Sequence, residues 1–497
     1  MMFTGRDHNR ARDLGGRRAP TRGAARAAVG AVEWPLLGMP TFLPCTTGTR
    51  GHRKGELTRL NTNRSTVRWR IVALLTVVSF VSYVERMNIS VAAKFIAPEF
   101  GLSQIQMGQV FSSFMLGYAS SQIPAGRLGD VFGPRLVLTA AVLWWGVATL
   151  LTGLLPGVLV ASSLGVFLTL AALRFLLGVG EAATYPVAAR TIANWMPDSQ
   201  RATSIAILTG GLSLGSALTP PAISWLMVNL GWRQSFYVAS VLAFVVAIAW
   251  RLYARDFPSE HPKVSPEELA FIAAGQADVS AMRSGSPSWW KLLRNRNVLL
   301  LSASYFVEGY VLFFFVFWLY TYLVDVRQFS ILGGGVFASL PFIVSAVTTP
   351  LGGWVSDRLS VRIGQRWGRR FPAMLGFTAS AACLWYGATV SNPYLAITGL
   401  SLAAGMVEFT EGTYWATAVD VGGPHAGASG GIMNMVGSLG GVVSTALVPV
   451  LVKYFGWPVA LGTGSVLTIA AALLWLGIRA DEPFEATTNG HVRRHGP

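Results

Sequence analysis

Apolar stretches of about twenty residues recur along this 497-residue chain, from Val72 to Leu476, and they constrain its fold more than any other feature. A helix of about 20 residues spans the ~30 Å hydrocarbon core of a bilayer. We count about twelve such stretches, and only 12% of all residues are charged, against roughly a quarter in a soluble domain. The sequence therefore predicts an all-α membrane protein with twelve transmembrane helices and excludes a soluble enzyme with one apolar anchor.

A polar stretch divides the twelve predicted spans into two sets of six. The predicted spans are 69–92, 105–127, 136–156, 164–187, 202–227 and 233–254, then 298–323, 332–355, 371–391, 393–417, 427–452 and 456–478. The expected domains are a basic disordered tail (1–68), an N-terminal six-helix bundle (69–255), a linker (256–297), a C-terminal six-helix bundle (298–480) and a second tail (481–497). Tails and linker are expected in the cytoplasm.

Basic residues set the orientation of the chain. The net charge is +16, and 14 of the 39 lysines and arginines precede Ile71. Disorder, binding to anionic lipid headgroups and binding to nucleic acid are alternative interpretations of that tail, as is a wrongly assigned start; we expect no nucleic-acid partner. The other basic residues cluster at the ends of spans, with several arginines between 358 and 370 in one loop. By the positive-inside rule, both termini lie in the cytoplasm.

Several kinds of chemistry are not expected. Cys45 and Cys383 are the only cysteines, so neither a disulfide framework nor a thiolate metal site is predicted. All six histidines fall outside the apolar stretches, which argues against haem, a metal centre or a nucleophile–histidine–acid set. No glycine-rich loop is followed by Lys-Ser/Thr, which argues against an ATP-driven pump. We therefore expect no cofactor, no metal, no catalytic residue and no enzymatic activity.

The two halves repeat each other. GRLGD at Gly126–Asp130 returns as GWVSD at Gly353–Asp357, 227 residues later. Gly211-xxx-Gly215 returns as Gly437-xxx-Gly441, 226 residues later. Such offsets indicate a duplicated six-helix unit, and duplicated transporters place the substrate site between the repeats near the midplane of the membrane. The sequence thus predicts two pseudo-symmetric six-helix bundles.

Charged residues occur within spans where they would be costly. An unpaired ionisable group at bilayer depth costs at least ~3 kcal/mol. The first span contains Glu85 and Arg86, and the fourth contains Arg174 and Glu181 on one helix face; the four charges sum to zero, so the second pair can compensate the first. Alternatively, the two pairs only hold helices together. Polar residues that share this region are Tyr118 and Gln122 on the second span and Asn434 and Ser438 on the eleventh.

The second half contributes acids without nearby bases. Glu408 follows Glu181 by 227 residues, so the repeat places the two on opposite sides of a central cavity. Glu408 is a candidate for proton coupling, whereas the roles of Glu308 and Glu411 are left open. Asn434 is expected to hydrogen-bond a polyol hydroxyl. Gly126, Asp130, Arg135, Asp357 and Arg358 are expected to act in gating and loop structure.

These motifs resemble a known family. GRLGDVFGPR between spans two and three resembles the inside-loop signature of the major facilitator superfamily. Within it, YVERMNIS, GYASSQIPAGRLGD, RFLLGVGEAATYP and HAGASGGIMNMVGSLGG resemble the anion:cation symporter family. That family includes bacterial galactonate, glucarate and hexuronate carriers and, more distantly, sialin and the vesicular glutamate transporters.

The resemblance implies roles for individual residues. Arg86 and Arg174 would engage an anionic substrate with Tyr118 beside them, and Glu85 and Glu181 would handle protons. Glu85 departs from the aspartate common in bacterial sugar-acid carriers. The expected function is proton-coupled symport of a small organic anion, such as a hexonate, hexarate or hexuronate, by a monomer in the bacterial inner membrane. An exporter or exchanger of another organic acid, or a non-transporting sensor, is the alternative.

Overall fold

Long helices account for most of the structure, a computed structural model that describes residues 65–154, 156–157, 160, 162–275 and 289–484. The first half consists of Val67–Phe100, Gln104–Phe132, Pro134–Leu154, Ser163–Glu181 continued by Thr184–Trp195, Asp198–Leu230 and Trp232–Tyr253. The second half consists of Arg296–Phe317 continued by Leu319–Asp325, Ile331–Ala338 continued by Leu340–Ile363, Gln365–Thr389, Pro393–Glu408 continued by Glu411–Gly422, Ala426–Phe455 and Trp457–Leu474. The predicted tails lie largely outside the described residues.

These twelve helical segments, which we number as spans one to twelve, confirm the predicted fold class. Nine of the spans within the described residues are long and apolar enough to cross a membrane. The second, ninth and tenth are less apolar because they carry polar groups. The second contains Gln122, the ninth begins with the arginine-rich Gln365–Arg370, and the tenth contains Glu408 and Glu411.

The same close helix packing occurs within each half. On the fifth span, Gly211 faces the carbonyl oxygen of Thr76 on the first span so closely that a β-carbon would overlap it. On the eleventh, Gly440 is in the same relation to the carbonyl oxygen of Phe306 on the seventh. Since spans five and eleven, and spans one and seven, are equivalent in the duplication, the same interface is built twice. Small residues permit such backbone approach between membrane helices.

Two equivalent spans are interrupted at acidic residues. The fourth span ends its first helix at Glu181 and resumes at Thr184, and the tenth ends its first helix at Glu408 and resumes at Glu411. Discontinuous helices free backbone groups and re-aim side chains near the midplane of duplicated transporters. The interruptions therefore mark the centre of each half.

The segment between the halves contains a helix, Pro266–Ala274, that docks on the start of the first span. Glu268 is fully buried and accepts hydrogen bonds from Arg68 Nη1 at 2.8 Å and from the backbone N–H of Arg68 at 3.2 Å and of Val67 at 3.3 Å. A carboxylate there satisfies free N–H groups and complements the helix dipole. We call this end of the bundle the linker end, and the opposite end, near Phe100, the distal end.

Candidate functional site

A buried ion pair joins the first and fourth spans. Arg86 donates from Nη2 at 2.8 Å and from Nε at 3.1 Å to the same oxygen, Oε2 of Glu181. Arg86 is 2% exposed and Glu181 is 0% exposed. Oε1 of Glu181 is buried without a hydrogen-bond partner among the described residues. The predicted compensation of a first-span charge by a fourth-span charge is thus present for this pair.

Aromatic rings surround the Arg86 guanidinium. Its central carbon lies 4.6 Å from the ring centroid of Tyr83, 4.7 Å from that of Tyr118 and 5.0 Å from that of Phe114. Arg86 Nη1 also donates to the Tyr83 hydroxyl at 3.3 Å. Ring faces attract a cation and exclude water from it. Tyr118 therefore lies beside Arg86, as expected, and Tyr83 and Phe114 are additional neighbours that sequence reasoning missed.

Arg174 and Glu85 form a separate group inside the first half. Arg174 donates from Nη1 to the backbone oxygen of Glu85 at 3.4 Å and from Nη2 to Thr152 Oγ1 at 3.3 Å. Glu85 Oε2 instead accepts from Thr149 Oγ1 at 3.0 Å. Arg174 Nε and Glu85 Oε1 are buried without hydrogen-bond partners among the described residues. The four charges are thus divided, because Glu181 lies where its helix ends and turns toward Arg86.

Polar side chains of the two halves meet directly. Gln122 Nε2 on the second span donates to Ser438 Oγ on the eleventh at 3.0 Å, and Asn434 Nδ2 donates to Gln122 Oε1 at 2.8 Å. Ser438 Oγ donates in turn to the backbone carbonyl oxygen of Asn434 at 2.9 Å. We call these three residues the amide bridge. All three are sequence-predicted site residues, and the structure brings them together.

The acidic candidates of the second half lie apart from the ion pair. Glu408 accepts a hydrogen bond from Thr349 Oγ1 at 3.3 Å and is half-buried. Tyr83, which contacts Arg86, interacts electrostatically with both Glu181 and Glu408. Tyr83 is thus within electrostatic range of acids of both halves. Among the described residues, no group of three His, Cys, Asp or Glu side chains is spaced to hold a metal ion.

The predicted gating residues are paired within each half. Asp130 lies 3.6 Å from Arg190 Nε, and the backbone N–H of Arg135 donates to Asp256 at 2.7 Å. In the second half, Arg369 bridges Asp357 at 2.6 Å and Asp420 at 3.0 Å. Two further candidates make apolar or ring contacts: Gly126 lies against Pro186, and Arg358 lies over the Trp354 ring.

Contacts between the halves are concentrated away from the linker end. Besides the amide bridge, Ser112 donates to the Val442 carbonyl at 3.1 Å, and Lys94 pairs with Asp325. Ser339 also bonds across to the fifth span. Among the described residues, these contacts between the halves lie in the middle of the spans or at the distal end. The Lys94–Asp325 pair was not predicted, although each residue lies at the end of its span.

Two pseudo-symmetric helix bundles that meet around a buried cation and a set of polar side chains define a multi-pass membrane transporter. The chain belongs to the Major Facilitator Superfamily, whose family model matches residues 75–445. The fold agrees with a solved bacterial homologue of the lysosomal transporter Spinster, inward-facing and occupied, at a TM-score of 0.69 and 17% identity, over 85% of this chain and all of that one.

Relatives at higher identity are anion transporters. A probable sulfoacetate transporter of Cupriavidus necator is 32% identical over 394 residues, covering 79% of this chain and 89% of that protein. A probable galactarate/D-glucarate transporter of Escherichia coli is 30% identical over 429 residues, covering 84% of this chain and 92% of that protein. Membership in a family of anion transporters agrees with the resemblance seen in the sequence motifs.

Proposed function

We propose that the protein imports a sugar acid, such as a hexonate, hexarate or hexuronate, together with protons across the bacterial inner membrane, with both termini in the cytoplasm. The observation that most supports this proposal is the Arg86–Glu181 ion pair, which is surrounded by aromatic rings and leaves one oxygen of Glu181 without a hydrogen-bond partner. A guanidinium offers a planar fork that fits a carboxylate. Arg86 is therefore the anchor of the substrate carboxylate.

Charge balance couples the anion to a proton. The Arg86–Glu181 pair is neutral, and an added carboxylate leaves one uncompensated negative charge in a low-dielectric cavity. If the substrate takes the guanidinium from Glu181, the glutamate loses its counter-charge and must bind a proton. Release of the anion returns Arg86 to Glu181 and expels the proton. Arg174 would act beside this exchange as a further cation, and Glu85 as the acid that shares the single first-half proton with Glu181.

The amide bridge would bind the hydroxyl groups of the substrate. Gln122, Asn434 and Ser438 supply two side-chain amides and a hydroxyl at the boundary between the halves, and each can donate and accept. A hexarate offers hydroxyls to such groups, whereas sulfoacetate, a two-carbon sulfonate, has none. The amide bridge is the observation that favours a sugar acid over the substrate named for the sulfoacetate relative.

Transport by reconstituted protein tests this proposal. Full-length protein in liposomes is given labelled D-glucarate with an imposed pH gradient, acidic outside, at zero membrane potential; sulfoacetate and D-glucuronate serve as competitors. We expect accumulation that collapses when the gradient is dissipated, and competition by the uronate above that by sulfoacetate. If labelled anion exchanges for unlabelled anion at a rate that does not depend on the pH gradient, the protein is instead an exchanger. Arg86→Gln liposomes are the matched negative control.

A further inference from the structure

The second half contains three glutamates that the exchange at Arg86 does not use: Glu308 on the seventh span and Glu408 and Glu411 on the tenth. Glu308 is 3% exposed, and no hydrogen bond or ion pair joins its side chain to any described residue. Its electrostatic partners are the two other glutamates. We call these three residues the carboxyl cluster.

Glu411 shows the same lack of a partner on one of its oxygens. Its Oε1 accepts hydrogen bonds from the Tyr305 hydroxyl at 3.0 Å and from Trp415 Nε1 at 2.7 Å. Its Oε2 is buried and has no hydrogen-bond partner among the described residues. A carboxylic acid has this asymmetry, because one oxygen accepts and the other carries the proton. Oε2 is therefore the oxygen of Glu411 that would carry a proton.

No base compensates the carboxyl cluster. The titratable groups that face it are Tyr305 from the seventh span, Tyr414 from the tenth and Tyr83 from the first half. Thr349 of the eighth span adds a hydroxyl. Within the described residues, no lysine or arginine pairs with any of the three acids. Three ionised carboxylates would each cost at least ~3 kcal/mol at bilayer depth.

We propose that the carboxyl cluster is a second proton site, separate from the Arg86–Glu181 pair, which loads at least one further proton in each transport cycle. The inference rests on the proposed function as a proton-coupled symporter. Because the described acids are not spaced to hold a metal ion, a proton fits the cluster and a metal does not. The proton adds to a carboxylate oxygen and leaves from the same oxygen, so no other reactant is needed.

The cluster has an accessible side and a closed side. Glu408 is half-buried and bonded to the Thr349 hydroxyl, whereas Glu308 is almost completely enclosed. Glu411 is also half-buried, but its Oε2 is buried. We therefore assign Glu408 as the entry point, and Glu308 and Oε2 of Glu411 as the groups that hold the proton. One proton at each site would neutralise both carboxylates of a hexarate. A dicarboxylic sugar acid is thus the substrate class that matches two proton sites.

Infrared difference spectroscopy tests the site without any substrate. Full-length protein in liposomes is stepped from acidic to alkaline pH, and the carbonyl band of protonated carboxyl groups is followed. We expect a band that disappears on alkalinisation and is reduced in Glu308→Gln and Glu411→Gln. Glu268→Gln, at a buried glutamate that is ion-paired with Arg68, should leave it unchanged. Equal bands in all variants would overturn the proposal, as would loss of the band on adding sodium at fixed pH.

Transport measurements then give the number of protons that move with each substrate anion. One proton across a gradient of one pH unit is worth ~1.4 kcal/mol, or tenfold accumulation. We expect Glu308→Gln to lower steady-state D-glucarate accumulation about tenfold per pH unit while exchange continues, and Glu411→Gln provides the same test if that variant does not fold. Unchanged stoichiometry in the folded variant would refute a role in transport. If the wild type ignores the gradient, the symport proposal fails, while the infrared result still decides whether the cluster binds protons.

Discussion

Glu181 and the substrate carboxylate compete for Arg86, and replacing Glu181 by glutamine weakens only the first of these two partners. The amide oxygen of glutamine can still accept from Nε and Nη2, now 3.1 and 2.8 Å from Oε2, but the charge is lost. Hydrogen bonds to charged groups contribute about 1 kcal/mol more than neutral ones. For two bonds we expect the empty protein to lose about 2 kcal/mol of stability. The uncompensated Arg86 should then bind an anion about 30-fold more tightly, because 1.4 kcal/mol is a factor of ten.

The assay is a thermal-shift titration of purified full-length protein with D-glucarate at an acidic and an alkaline pH. In the wild type, anion binding requires Glu181 to take up a proton, so affinity should fall as pH rises. In Glu181→Gln the affinity should be higher and should fall less steeply with pH, because only the proton of the carboxyl cluster is still taken up. In liposomes the variant should exchange labelled for unlabelled anion, and its steady-state accumulation should fall about tenfold per pH unit, because the proton of Glu181 no longer leaves on the return step.

A matched control exists elsewhere in the chain. Glu268 is also fully buried and lies 2.8 Å from an arginine, Arg68, but at the linker end. Glu268→Gln should lower stability and leave the affinity for anion unchanged. The reasoning is refuted if Glu181→Gln binds D-glucarate with wild-type affinity and wild-type pH dependence. Glu181 would then be a structural partner of Arg86, and Glu85 would become the leading proton carrier of the first half.

Three further predictions concern other contacts. Arg86→Lys keeps the charge but loses the two-pronged donor, so D-glucarate affinity should fall at least tenfold in the same titration; near-normal affinity would remove this residue from the site. Asp325→Asn removes the partner of Lys94 at the distal end and, as for other partly exposed pairs, should cost under about 1 kcal/mol. It should nevertheless raise labelling of a cysteine engineered near the distal end by an impermeant maleimide, and unchanged labelling would argue against a gate. Gly309→Ala places a methyl group against an adjacent backbone and should lower the thermal midpoint, whereas Gly427→Ala, with nothing within 4 Å, should not.

Span number, duplication and the residues of the centre could be predicted because each depends on a local pattern. Apolar length identifies spans, and a constant offset identifies the repeat. Polar residues within apolar helices are also evident from the sequence alone. Gln122, Asn434 and Ser438 were predicted individually in this way, and the structure brings them together. Membrane burial makes such residues costly, so their presence already indicates a function.

Pairing within the centre could not be predicted. Helical spacing places Arg174 and Glu181 on one face, yet Glu181 bonds to Arg86 and Arg174 bonds to Thr152. The difference arises where the fourth span is interrupted after Glu181. Pro186 signals that interruption, because it has no N–H and its ring crowds the carbonyl of Ala182, but it does not indicate which way Glu181 turns. Docking of Glu268 on the first span was also missed. Ser265 and Pro266 do signal a helix start, but the surface it contacts depends on the tertiary fold.

The amide bridge has a consequence for selectivity. In the described structure, Gln122 and Asn434 already satisfy one another, so an arriving sugar hydroxyl must exchange places with a bond that the protein makes to itself. An exchange of this kind changes the free energy little, since a net hydrogen bond is worth about 0.5–1.5 kcal/mol. Each hydroxyl should thus add at most about 1 kcal/mol to affinity, so a monodeoxy analogue should bind only slightly less well, and the preference over an anion without hydroxyls accumulates from several of them. A hydroxyl of wrong stereochemistry would break the bridge without replacing it, so discrimination between epimers should exceed discrimination against missing hydroxyls.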